Sequence, residues 1–290
     1  MTQTTSSHAA PTAGSSPQNA NESKRIRRFR TNLIKEIPRF PNNRASKQAL
    51  EGMHLTDLLI VYMSWRLRLV GRRERKVVGA DALWSDGRAV AMRPNLEAFF
   101  AAVERGDDLT PYLSLRAMEK GYRPPDPGQT LPTWDDKDFI LNVFGLHHFH
   151  LGLTTVNGHI DRTDEVLFAR VTRDTLEPLA LFDHSVFDTD ASTMTSERER
   201  LWTLAEDHVG SLGGVTTAGT PTNVTFKAID YVDVIREIDP KLDDRAWIME
   251  SFKPDGPPSS VKPEWWFNHL DLGVMDTKRN VFGKFRDGPT

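Results

Sequence analysis

Cysteine is missing from all 290 residues. That excludes disulfides, thiolate metal ligands, iron–sulfur clusters and cysteine nucleophiles, and it fits a reducing, cytoplasmic setting. No stretch approaches the roughly 20 apolar residues of a membrane span, and no secretory h-region follows the start, so no membrane partner is expected. Several enzyme signatures are absent as well. There is no G-x-S-x-G elbow, no GxxxxGK[ST] phosphate loop, no H-E-x-x-H, no pair of H-x-T motifs and no dinucleotide fingerprint, which argues against α/β-hydrolases, P-loop NTPases and zincins. The remainder is ordinary for a globular chain, 38% hydrophobic and 27% charged with seven Trp and fifteen Phe, and long enough for a sizeable core.

Acidic residues are scarce in one region. From Lys24 to Lys76 there are fifteen Lys/Arg against four Asp/Glu. With the overall charge at −3 and Glu22 the one acid before this stretch, residues 77–290 carry a net −13. A basic head on an acidic body points to contact with a polyanion, or with an acidic surface of the same or another chain. Lys24, Arg25, Arg27 and Arg28 in "SKRIRRFR" and Arg72 and Arg73 in "VGRRERK" are the candidate nucleic-acid-binding residues. The same head could instead dock a cognate protein partner.

Residues 1–23 are Ser/Thr/Ala/Gln-rich, lack apolar periodicity and are expected to be disordered. The region 24–120 reads as mostly helical. Leu55, Leu58, Leu59, Tyr62 and Met63 recur at helical spacing over 55–70, with Thr56 placed as cap and Gly71 as stop. A helix over 95–105 and a short one from Thr110-Pro111 follow. "GYRPPDPGQTLP" (121–132), with four prolines, is the expected linker. Over 133–290 the texture changes to a short helix at 135–145 and strands at 146–152, 164–172 and 177–184, the last two predicted to form a hairpin. Helices at 195–209 (Ser196 and Glu199 as a capping box), 226–238 and 243–252 come next, then a closing pair of strands. Without βαβ alternation, the expectation is an α+β protein: a helical N-terminal region followed by a mainly antiparallel sheet packed with helices.

Three of the nine histidines fall within four positions, in "LHHFHLG" (146–152). On a strand, His147 joins Phe149 and Leu151 on an apolar face, while His148 and His150 share the other, about 6–7 Å apart along the chain. Two imidazoles so placed can bind a divalent metal or share acid–base work. Arg162 in the following loop could hold a phosphate bidentately, or pair with Asp161 or Asp164. His184, at the end of the third strand, could add a further imidazole, or cap a loop. A C-terminal echo, "HLDLG" (269–273), places His269 and Asp271 on one strand face if the strand reading holds.

"FILNVFGLHHFHLG…DRTDEVLFARVT…LALFDHSVFD", covering 136–188, resembles a set of uncharacterised bacterial proteins found with mobile or defence genes. Its helix-then-strands order is also distantly similar to RelE-type and barnase-type RNase toxins, in which a strand-borne His, an Arg and an acidic group act without metal. What this implies is a metal-independent endoribonuclease of the toxin or phage-defence kind, with His148, His150, Arg162 and His184 catalytic and no cofactor. Two other readings stand beside it. One is a metal-dependent hydrolase or phosphodiesterase holding zinc or manganese on His148, His150, His269 and Asp271, or with His184. The other is a binding or regulatory module in which the His strand is structural.

Overall fold

The computed structural model describes residues 22–114, 121–124, 136–188, 194–206, 214, 216, 220–251 and 262–289. Apart from Glu22 and Ser23, the expected tail lies outside the described residues, as does the expected linker beyond Pro124. The chain is α+β. The first part is helical: α1 (Lys24–Glu36), α2 (Arg44–Gly52), α3 (Leu55–Leu67), α4 (Ala80–Leu83), α5 (Gly87–Ala91) and α6 (Arg93–Glu104), interrupted by the two-residue strand β1 (Lys76–Val77). Next come α7 (Asp136–Phe144), β2 (Leu146–His150), β3 (Thr155–Val156), β4 (His159–Ile160), β5 (Glu165–Val171) and β6 (Thr175–Asp183). The last part holds α8 (Ser196–Glu206), α9 (Thr222–Ile238), α10 (Arg245–Ser251) and β7 (Pro263–Asn268), β8 (Asp271–Asp276) and β9 (Val281–Arg286).

The central sheet has the order β1-β6-β5-β2. β5 and β6 form the expected antiparallel hairpin, and β2 pairs antiparallel with β5, setting His148 opposite Phe168 and His150 opposite Val166. One pairing departs from expectation: β1 runs parallel to β6, Lys76 beside Thr175. A two-residue strand inside a basic run carries no periodic signal, so only long-range pairing reveals it. Helices cover both faces of this sheet. Leu96 and Phe99 of α6 meet Phe149, Leu167 and Leu181 on one face, while Phe144 of α7 and Leu201 of α8 meet Phe168 and Phe182 on the other.

The first three helices belong to a separate core. Phe29, Leu58, Tyr62 and Met63 pack with Tyr231 and Ile235 of α9 and with Trp265, Leu272 and Val274 of β7 and β8. Helices from residues 24–120 thus share cores with elements from the second half of the chain. Asp239 stitches this core together, its buried Oδ1 accepting from Trp265 Nε1 at 2.8 Å and from Arg25 Nε at 3.1 Å.

Local chemistry explains where the elements differ from their expected bounds. α3 begins at Leu55 after an extended His54, so Thr56 lies inside the first turn and caps nothing. It ends at Leu67, short of Gly71, where the Leu67 carbonyl accepts a hydrogen bond from His147 Nε2 at 2.9 Å. The cap of α8 falls on Thr195, whose Oγ1 accepts from the Arg198 N–H at 3.2 Å, one residue before the expected Ser196. "TTVNGHI", expected to be loop, is the small hairpin β3–β4, turned by Asn157 and Gly158 at φ 52° and 82°, as Asn-Gly favours. The closing pair of strands is a three-stranded sheet, because His269 and Leu270 both adopt positive φ (49° and 67°) and form a two-residue turn between β7 and β8.

Candidate active site on the histidine strand

Alternation along β2 sends its histidines to opposite faces. His147 is buried on the side of Phe149, and donation to the Leu67 carbonyl places its proton on Nε2. Burial, reinforced by the nearby Arg75 charge, lowers its pKa to about 4, so the ring is neutral at physiological pH.

On the other face three imidazoles meet. The rings of His148 and His150 are 6.5 Å apart, near the expected spacing, and His150 stacks on His184 at 5.6 Å with 23° between planes. His148 is wedged between Phe168 at 5.8 Å and Phe187 at 4.9 Å. His150 is buried and His184 exposed, so the cluster opens to solvent through His184. His184 begins the 3₁₀ turn His184–Phe187, and its Nδ1 donates to the Asp164 carbonyl at 2.9 Å. With Nδ1 carrying the proton, Nε2 presents its lone pair, the arrangement of an oriented general base.

The loop supplying that carbonyl is held against the end of β2. Thr163 Oγ1 accepts from the Leu151 N–H at 3.2 Å and donates to the Glu165 carbonyl at 2.6 Å. Asp161 packs on Gly152 so closely that a Cβ there would lie 1.7 Å from Asp161 Oδ1. Hence the glycine that closes "HFHLG". Arg162 is exposed in this loop, two residues before Asp164, and forms no ion pair with Asp161 or Asp164 among the described residues. Among the described residues no hydrogen bond or ring contact joins its side chain to the imidazoles. Sequence reasoning weighed Thr163 and Asp164 too lightly. Their roles rest on a side-chain oxygen that ties down the loop and a main-chain carbonyl, and neither has a motif.

The alternative metal set is not assembled. His269 sits in the β7–β8 turn rather than on a strand, so it shares no face with Asp271, and it lines a cleft with His147, across β2 from His148 and His150. Asp271 is buried and held by both Arg173 nitrogens, Nη1 at 2.6 Å, and by the Gly288 N–H at 2.7 Å. Among the described residues no group of three His, Asp or Glu side chains has an arrangement suited to a metal ion.

The basic residues divide. Arg25 is committed to Asp239 and Asp243, Arg28 pairs with Glu264, and Arg73 lies 3.3 Å from Asp174. Lys24, Arg27 and Arg72 are exposed, and among the described residues none of their side chains forms a hydrogen bond or close ion pair, although Arg27 lies in the field of Glu22. Part of the charge asymmetry is therefore consumed within the chain, the basic head closing on the acidic body. Comparison with known proteins finds no matching family model, no matching curated protein and no matching solved structure. The chemistry has to be read from the site itself.

Proposed function

We propose that this chain is a metal-independent endoribonuclease working by histidine acid–base chemistry. The observation that carries the reading is His184: an exposed imidazole, its tautomer set by the Asp164 carbonyl, stacked on a second imidazole, His150. In the reaction, His184 Nε2 takes the 2′-OH proton, the 2′-oxygen bonds to phosphorus, and the phosphorus–O5′ bond breaks. The leaving oxygen takes a proton from the His150 imidazolium, giving a cyclic phosphate and a 5′-hydroxyl. Arg162 supplies the cation for the crowded phosphorane. Exposed Lys24, Arg27 and Arg72 are left to meet the RNA backbone. The similarity to RelE-type and barnase-type toxins in residue types and element order supports the reading.

The test is cleavage of single-stranded RNA in EDTA, with the pH profile recorded. The expected result is EDTA-resistant cleavage with a two-limbed profile, lost in His184→Ala and His150→Ala variants that keep the parent melting temperature. A one-limbed profile would remove the acid role from His150. Cleavage that EDTA abolishes, or that both variants retain, overturns the proposal.

A further inference from the structure

We infer that a second site, across β2 from the imidazole cluster, binds a single phosphoryl group carried by a small molecule or as the free ion. The place is a cleft of about 120 Å³ between the end of α3, the β5–β6 turn and the β7–β8 turn, lined by Arg66, Arg73, Arg75, Arg173, His147 and His269. Among the described residues no Asp or Glu side chain lines it. Four arginines and two histidines line a space well above the roughly 10–15 Å³ that one water needs.

These cations are oriented by the fold rather than by a ligand. Arg75 is the most constrained: its Nε donates to the Thr172 carbonyl at 3.1 Å, and its Nη1 to the carbonyls of Gly71 and Arg73, each at 3.2 Å. Its Nη2 makes no hydrogen bond to the described residues. Arg173 is locked on Asp271, and Arg66 lies 5.4 Å over the Trp65 ring with no carboxylate partner among the described residues. Among the described residues the carboxylate paired with Arg73 is Asp174, whose side chain is 75% exposed. His147 forms a neutral wall. Because these groups are held before any ligand arrives, little ordering entropy is lost on binding.

The local field agrees with the geometry. Burial pushes the His269 pKa down, and Arg73, Arg66 and Arg75 push it further, although the Asp271 carboxylate opposes them. Cations outweigh anions in the cleft. A tetrahedral dianion can accept from several guanidinium forks at once, whereas a carboxylate offers two oxygens and one charge. Phosphate chemistry therefore fits better than a carboxylate. This inference is independent of the reaction assigned to His184.

Isothermal titration with inorganic phosphate, adenosine 5′-monophosphate and acetate, in chloride buffer of matched ionic strength, tests it. Saturable phosphate binding is expected. Arg66→Gln and Arg73→Gln should each weaken it about tenfold, the scale of one charge-assisted hydrogen bond. Arg236→Gln, which removes the same charge from an exposed position on α9, should leave it unchanged, and melting temperatures will show that all three variants fold. Tighter binding of the mononucleotide assigns the site to a phosphorylated metabolite, and tighter binding of phosphate to the free ion; either supports the inference. Absence of saturable heat, acetate binding as tightly as phosphate, equal loss in Arg236→Gln, or displacement of phosphate by RNA without terminal phosphates overturns it.

Discussion

The two faces of β2 show one residue type held in two ways. On one face His147 is buried, bonded to the Leu67 carbonyl and kept neutral down to about pH 4. On the other, His150 and His184 stack with a solvent-exposed ring at the end of the stack. Three positions along β2, from His147 to His150, separate a clamp joining α3 to the sheet from a stacked imidazole pair. Residue identity supplies neither role. Burial and the partner of the second ring nitrogen do.

The sharpest way to break this contrast is to delete one ring from each face. His184→Ala should lower RNA cleavage by about 10²–10⁴-fold with the melting temperature nearly unchanged; a structural role would show the reverse.

His147→Leu should instead act on stability and on its pH dependence. Unfolded, His147 takes its proton below about pH 6.5, but folded only near pH 4. Its contribution is complete above pH 6.5 and declines as pH falls to 4, by about 3 kcal/mol over that window. Urea titrations at intervals between pH 4 and 7 should therefore show a shallower slope in the variant. An identical slope would mean that His147 is not held neutral.

The loop between the faces comes next. Gly152→Ala forces Asp161 away from the end of β2 and should cost about 1–3 kcal/mol. It should also reduce cleavage, because Asp164 in the same loop positions His184. Unchanged cleavage would disconnect that loop from the site. The smallest effect is expected at Arg28→Gln, an ion pair with Glu264 on a half-exposed side chain. Its stability cost should stay below about 1 kcal/mol, and RNA affinity should change little, since this cation is already engaged. A large loss of affinity would restore Arg28 to the nucleic-acid contact surface.

Much of this was legible because period-2 and period-3.6 patterns are local. The split of His147 from His148 and His150, the β5–β6 hairpin and the buried face of α3 all follow from side-chain alternation over a few residues. The "HFHLG" and "HLDLG" echo marks two glycines of similar necessity, since a Cβ on Gly273 would lie 2.3 Å from the Gly283 carbonyl. The environments differ, however, because His269 turns where His148 extends. The arginine cleft had no such signature. Arg66, Arg73 and Arg75 were visible as a basic run, but Arg173 lies in a three-residue turn about a hundred positions later and His269 in another turn beyond it. Only packing of the α3 end against both turns brings them together.

The shared core of the earliest and latest elements bears on how the chain is made. Phe29 of α1 meets Phe267 of β7 with ring centroids 5.3 Å apart, and Leu58 and Met63 share their core with Val274. At typical elongation rates of about 5–20 residues per second, roughly 10–50 s pass between synthesis of the first partner and the last. Throughout that interval the apolar faces of α1 and α3 lack the elements that cover them in the finished molecule. Those faces complete their burial only once β7 and β8 have been made, and it is there that a nascent-chain chaperone would find its binding surface.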